Sequence, residues 1–454
     1  MKTTIITLLF AFLISFSSGH AQQNEECMNN LSIFHSYVKN KKYDDAYEPW
    51  KLVRTQCPKL NRAIIVDGEK ILKHKIENTS GAEQLAHIKD FMALYDEAAA
   101  NYSSKYPYGE AMADKANLAY KHREALNLSN AELFNMFNDV YLKDKTNFNS
   151  AVGLYTYFSL IVDLYDEGQK PIQDMFDKYD DVNEIIEALI AGYTKKLNVY
   201  ASKEAEGQEL SKKEKRYKSA YLSNIEAFEN QILGSMDKKL GDRANCDVLI
   251  PLYEKNYDKN KEDKVWLQRA MNRMYAKGCK DDPMFLKLVE QKNTLEPSAD
   301  TSFYLYLLTG KQKYFDQTIE LETDPLKKAS LYKKLAQELR SKGSYSKARN
   351  YYQKAMSLNP SDGSPHLSIA NMYAKSANNC GDDNFNKRAV FWLAANEAEK
   401  AGRIDSRLRS TAAKTAESYR ASAPSRSDIF TKGNAGEVIR IGCWINRSVT
   451  VPKL

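Results

Sequence analysis

Glycine and proline are scarce: 19 and 12 in 454 residues, against usual frequencies of about 7% and 5%. That composition excludes collagen-like and low-complexity chains. It also argues against an all-β protein, which needs a turn every dozen residues or so. Histidine is sparser still. The six (His20, His35, His74, His87, His122 and His366) are widely separated and form no His-Glu-x-x-His or His-x-x-x-His pair. There is no Gly-x-Ser-x-Gly elbow, Walker loop, Gly-x-Gly-x-x-Gly or Cys-x-x-Cys, so the spacings that assemble a nucleophile, a phosphate cradle or a metal site are missing. We therefore expect no catalytic residue, no cofactor and no metal. An enzyme would have to gather groups from distant segments, with His122, Asp163 and nearby acids as the place to look. A strong charge of one sign is also lacking. The 66 basic and 59 acidic residues leave a formal charge of +7, spread along the chain in clusters such as Lys212 to Arg216 that alternate with acids. A nucleic-acid partner would require that charge gathered on one surface, so none is expected.

Long apolar runs are confined to the N-terminus. Met1 to Ala21 has one charge (Lys2), an apolar core from Ile5 to Phe16, and small residues at Gly19 and Ala21. This is the pattern of a secretory signal peptide cleaved after Ala21, and the run is shorter than the roughly 20 residues that span a bilayer. Cys27 follows Asn24-Glu25-Glu26, not the small apolar triplet of a lipid anchor. Phe148 to Tyr165 is the most apolar later stretch. It holds Asn149, Ser150, Ser159 and Asp163 and is predicted to be a buried core helix, so no transmembrane span is expected in the mature chain.

Helical periodicity runs through most of the remainder, with apolar residues three and four apart. Its clearest expression lies between Ala329 and Pro360: Tyr332, Leu335, Ala336, Leu339, Gly343, Tyr345, Ala348, Tyr352, Ala355, Leu358, Pro360. Large residues alternate with small Ala336 where a second helix crosses closely, Ala348 and Ala355 supply the facing notches, and Pro360 stops the helix. In residue types and spacing this resembles the tetratricopeptide repeat of about 34 residues. A second copy runs from Cys27 to Pro58 through Ile33, Phe34, Tyr37, Tyr43, Ala46 and Trp50. A third begins at Ile369, Ala370 and Tyr373 and continues, after a longer loop, at Ala389 and Leu393. A degenerate copy spans Val265 to Pro297. Helical hairpins without the signature, such as Ile71 to Tyr102 and Ala131 to Met175, lie between. The predicted fold is all-α, a tetratricopeptide-like helical-repeat solenoid with a short C-terminal β-hairpin. The hairpin is read from Glu437 to Ile445 and Ser448 to Val451, where β-branched and aromatic residues alternate. The expected divisions are signal peptide 1–21, N-terminal helical array 22–200, long helical connector 201–243, C-terminal repeats 244–423 and β tail 424–454.

Six cysteines in an exported chain are expected to pair. Sequence alone leaves about 15 pairings open, but the repeat arrangement selects one. The start of a first helix and the end of its partner lie at the same end of a hairpin, which joins Cys27 to Cys57 and Cys246 to Cys279, leaving Cys380 to tie down Cys443. Asp180-Asp181 and Asp281-Asp282 are expected at helix starts or in loops, where acids favour the helix N-terminus. The loop Asn378 to Asn384 is rich in oxygen donors but lacks the ligand spacing and closing Glu of an EF-hand, so a capped, disulfide-tied loop is expected.

In tetratricopeptide proteins the first helix of each pair lines a binding groove. Carried onto the matching positions here, the resemblance implies His35 and Lys39 in the first repeat, Lys333, Gln337 and Arg340 in the clearest one, and Asn371 and Lys375 in the next. Grooves of this kind that grip a terminal carboxylate use Asn where this chain has Gln337, so that clamp is not matched. Nearly the whole mature chain is similar to exported tetratricopeptide-repeat proteins of Bacteroidota-type Gram-negative bacteria. The similarity rests on Tyr37 to Pro58, on Cys246 to Ala299 with its Lys277-Gly278-Cys279 and Glu296-Pro297-Ser298, and on Ile441 to Asn446. It implies no chemistry and a soluble periplasmic protein, or one held at the periplasmic face of the outer membrane by partners. The helical-repeat groove and the lack of a catalytic constellation make the expected function a non-enzymatic scaffold for a protein partner in the envelope, as part of a secretion, gliding or outer-membrane assembly complex. The alternative is a periplasmic module that binds a small ligand or cell-wall glycan.

Overall fold

A computed structural model describes residues 24–454; the expected signal sequence, His20 included, lies outside the described residues. The chain is all-α apart from a two-stranded antiparallel sheet near its C-terminus. It forms two compact units: residues 24–186 with 232–239, and residues 187–231 with 240–454. In each, helices pack chiefly against their neighbours in sequence, the property that defines a helical-repeat array. No helix among the described residues is long and apolar enough to cross a membrane.

The first unit opens with helices at 24–39 and Tyr43–Gln56, followed by Ala63–Asn78, Gly81–Asn101, Tyr108–Lys121, Asn130–Asp144 and Ala151–Asp166. Trp50 is fully buried and donates its indole N–H to the Ile64 carbonyl at 2.7 Å. Its ring lies so close to Gly68 that a β-carbon there would come within 2.7 Å of it, so residue 68 has to be glycine for the second and third helices to meet. Arg54 lies over the same ring at 4.9 Å and pairs with Asp90 at 2.7 Å and Glu97 at 2.8 Å. Cys27 and Cys57 are joined, closing the first hairpin at its open end. Ser129 and Glu132 form a capping box that starts Asn130–Asp144, satisfying N–H groups that would otherwise be orphaned. Ala151–Asp166 buries ten residues, as its apolar composition predicts.

The long helix Ile172–Ala205 carries the boundary between the units. Asp180 and Asp181, expected at a helix start or in a loop, stand inside it, where Asp181 pairs with Lys178 at 3.0 Å. The flanking apolar residues carry the helix through this acidic pair. The stretch around residues 206–211 is the tip of a hairpin whose arms, the end of Ile172–Ala205 and Lys212–Glu226, bury Leu197, Leu222 and Ile225 together.

The second unit continues through Cys246–Asn260, Lys264–Ala276, Pro283–Leu295, Ala299–Thr309, Gln312–Leu321, Pro325–Ser341, Tyr345–Leu358, Ser364–Ser376, Asn384–Ile404 and Arg409–Ser422. Cys246 and Cys279 are joined, bracketing one helix pair. Pro325 sits in the first turn of its helix behind Asp324, whose carboxylate accepts from the N–H of Leu326 and Lys327. That pairing suits proline, which has no N–H of its own to satisfy. Between Pro325–Ser341 and Tyr345–Leu358 the repeat residues behave as their sizes dictate: Leu335, Ala336, Ala348, Tyr352 and Ala355 are all buried. Gly343 makes the turn with φ of 74°, a left-handed conformation costly for residues with a β-carbon.

The C-terminal segment, expected as a β tail over 424–454, begins instead with a short helix, Arg426–Lys432, nucleated by a Ser425–Asp428 capping box. Strands β1 (Val438–Ile441) and β2 (Arg447–Thr450) follow, with Val438 opposite Thr450 and Ile441 opposite Arg447. A lone hairpin is marginal in water; this one buries Ile441, Ile445, Val449 and Val451 in the core that contains Tyr352, Tyr373 and Trp392. Arg349 donates to the Ile445 carbonyl at 2.6 Å and the Trp444 carbonyl at 3.2 Å. Trp444 lies 5.5 Å from both Tyr345 and Tyr373 and donates to Ser376 at 2.9 Å. The third disulfide, Cys380–Cys443, locks the segment in place.

Candidate functional site

The residues implied for a groove fall into two groups, one in each unit. In the first unit, Nδ1 of His35 lies 2.6 Å from the buried carboxylate of Asp67, which Lys70 also meets at 3.0 Å. His35 thus spends its hydrogen bond on stabilising an internal acid. Lys39 is exposed.

In the second unit, Lys333 is half-buried and bonded to Asp362 at 2.6 Å and Ser364 at 3.3 Å. It ties the helix Pro325–Ser341 to the start of Ser364–Ser376, and its charge lowers the Asp362 pKa against the opposing effect of burial. Lys333 is a strut. Gln337 and Arg340, one turn apart on Pro325–Ser341, and Asn371 and Lys375, one turn apart on Ser364–Ser376, make no side-chain hydrogen bond or ion pair among the described residues. These four present N–H donors without internal acceptors on two first helices that the Lys333 contacts join at one end.

In the loop Asn378 to Asn384, one carboxylate is spent on internal partners. Asp383 accepts from the N–H of Asn386, capping Asn384–Ile404, and is paired with Lys432. The backbone of Lys387 packs so tightly on Gly381 that a β-carbon would fall within 2.3 Å of it. Among the described residues no group of three or more His, Cys, Asp or Glu is arranged to hold a metal ion. Asp163 meets Lys239 at 2.5 Å, and His122 ends the helix Tyr108–Lys121.

Two further features form only where separate helices pack. In the first unit, Glu69 on Ala63–Asn78 faces Asp114 and Glu110 on Tyr108–Lys121, with Tyr95 of the intervening helix beside them. Burial, and then the charge of Asp114, pushes the Glu69 pKa up to about 7. Burial, and then Glu110, pushes Asp114 up to about 6. The same burial raises Tyr95. In the second unit, Tyr306, Phe315 and Tyr351 form the floor of a cleft of about 700 Å³ rimmed by Lys347, Asn350 and Lys354. The only sequence hint was the spacing of Lys347, Asn350, Tyr351 and Lys354, which places them on one face of Tyr345–Leu358.

No protein-family model matches this chain, and no curated protein matches it. Among solved structures, one titled "Circular tandem repeat protein with novel repeat topology and enhanced subunit contact surfaces" is similar over 90% of this chain and 91% of its own, at 10% identity and a TM-score of 0.19. A likeness at that level carries no inference about function.

Proposed function

We propose that this chain is an exported scaffold of tetratricopeptide type that acts by binding another protein in the cell envelope, without chemistry of its own. The observation that carries the reading is the set Gln337, Arg340, Asn371 and Lys375: polar donors on successive first helices with no acceptor among the described residues. Side chains of this kind form charge-assisted hydrogen bonds to a partner's carboxylates and carbonyls. The three disulfides favour an oxidising compartment, and together with the secretory pattern of residues 1–21 they support a periplasmic location. On this reading the scaffold belongs to an envelope secretion, gliding or outer-membrane assembly complex.

The test is affinity capture from envelope extracts with the native chain and with an Arg340→Ala/Asn371→Ala/Lys375→Ala variant. Lys333→Ala serves as a control that loosens the strut without removing a free donor. The reading requires a stable partner that the triple variant loses; equal capture by both proteins counts against it.

A second reading, a glycan-binding module, draws on Tyr193, Tyr200, Tyr217 and Tyr221. These stack with interplanar angles of 9–27° beneath Lys196, Lys213 and Arg216. Ligand-dependent shifts in melting temperature across a panel of peptidoglycan fragments and sugars would support it.

A further inference from the structure

We infer that the cleft over Tyr306, Phe315 and Tyr351 is a docking site for an acidic peptide segment that carries one apolar side chain between two carboxylates. The inference rests on the scaffold reading and deepens it. It names the chemistry of a partner and places its contact on Ala299–Thr309, Gln312–Leu321 and Tyr345–Leu358, at residues other than the groove positions considered above.

The floor is aromatic. Tyr306 and Phe315 are 5.2 Å apart at 70°, and Phe315 and Tyr351 are 5.3 Å apart at 76°. Rings crossed edge to face present a slot rather than a flat platform, and a slot suits an inserted aliphatic or aromatic side chain better than a sugar ring, which stacks on an open face. The rim consists of donors. Lys347, Asn350 and Lys354 are exposed and make no side-chain hydrogen bond or ion pair among the described residues, apart from the cation–π contacts of Lys354 with Tyr351 at 4.9 Å and Tyr332 at 5.6 Å. Of the nearby acids, Asp316 accepts from Gln312 at 3.0 Å and Glu338 is paired with Lys342 at 2.9 Å. Gln312 is neutral and leaves the Asp316 charge in place, but Lys347 and Lys354 outnumber it, so the rim is net positive and its complement is anionic.

Spacing supplies the rest. Lys347 and Lys354 are seven residues apart on one helix, about 10 Å at 1.5 Å per residue, and Tyr351 opens between them. A segment with two carboxylates about two helical turns apart and a Leu or Phe between them satisfies both cations and fills the slot.

The experiment measures fluorescence anisotropy of the full chain with a labelled synthetic peptide of 14 residues that bears two Glu seven positions apart and a Phe midway. Two control peptides carry Gln in place of both Glu, or Ala in place of Phe. The expected result is saturable binding that weakens at least about tenfold in Lys347→Glu/Lys354→Glu, where like charges face each other, and comparably with either control peptide. Tyr351→Ala tests the floor, and Lys347→Gln/Lys354→Gln separates charge loss from charge reversal. Unchanged melting temperatures show that the lysine variants fold. No binding at 100 μM protein (about the weakest useful docking affinity), equal binding of the Gln peptide, or displacement by peptidoglycan fragments overturns the proposal. Envelope capture lost through the Arg340/Asn371/Lys375 variant while this peptide fails to bind would leave the scaffold reading standing and remove only the cleft.

Discussion

Replacing Glu69 by Gln should make the first unit more stable at alkaline pH and leave it unchanged at acid pH. Glu69 has an ordinary pKa of 4.5 that burial and the Asp114 charge push up to about 7 in the folded chain. Between those values the native state holds a proton that the unfolded chain has released, so stability falls as pH rises from about 4.5 and levels off above about 7. A shift of this size corresponds to at most about 3.4 kcal/mol at 1.36 kcal/mol per pH unit. The carboxyl is partly open to water and shares its cost with Asp114, so about 1–2 kcal/mol is the realistic yield. Gln keeps the size and removes the charge. Urea denaturation of native and Glu69→Gln chains at pH 4.5, 6 and 8, followed by hydrogen exchange in residues 63–78 and 108–121, measures the difference. The variant should gain that amount at pH 8 and nothing at pH 4.5. A variant no more stable than the native chain at pH 8, or a gain equal at all three values, would refute the reasoning. Asp114→Asn should act in the same sense over a lower range, because Asp114 is raised only to about 6.

Gly68→Ala should cost about 1–3 kcal/mol, since a β-carbon there would drive into the Trp50 ring in a packed interior; thermal melts and the exchange of Trp50 Nε1–H report it. Arg349→Leu strips donors from the Trp444 and Ile445 carbonyls and should cost about 1–3 kcal/mol, with limited proteolysis cutting the C-terminal segment first. Replacing Cys27 and Cys57 by Ser opens a loop of 30 residues and should cost about 3.5 kcal/mol on the chain-entropy estimate, measured as a fall in the urea midpoint under oxidising conditions. A variant retaining native stability would mean the bond constrains little that the hairpin packing does not already hold.

The helical character, the repeat around Ala336 and Ala348, and the tail strands were readable because each depends on spacing within a few turns. A small residue every few positions permits a close crossing whatever lies beyond it. The cysteine pairs were readable for a related reason: in an antiparallel hairpin, sequence distance converts directly into which ends meet. Reading failed where local cues competed. Asp180-Asp181 resembles a helix start but is carried through by the apolar residues flanking it, and Ser425 begins a short helix because Asp428 completes its cap.

The groove positions show the sharper division. Aligning them by repeat position gave Lys333 and Arg340 equal standing, yet Lys333 is consumed by Asp362 while Arg340 has no side-chain partner among the described residues. Which charges remain free depends on loops and caps in the next repeat, beyond the reach of a positional pattern. The raised Glu69 and the cleft over Phe315 and Tyr351 belong to the same class, because burial and charge proximity arise only when separate helices pack. Helices, repeats and covalent ties follow from local chemistry along the chain. The electrostatic state and availability of each side chain are set across it, by the desolvation and partners that folding brings.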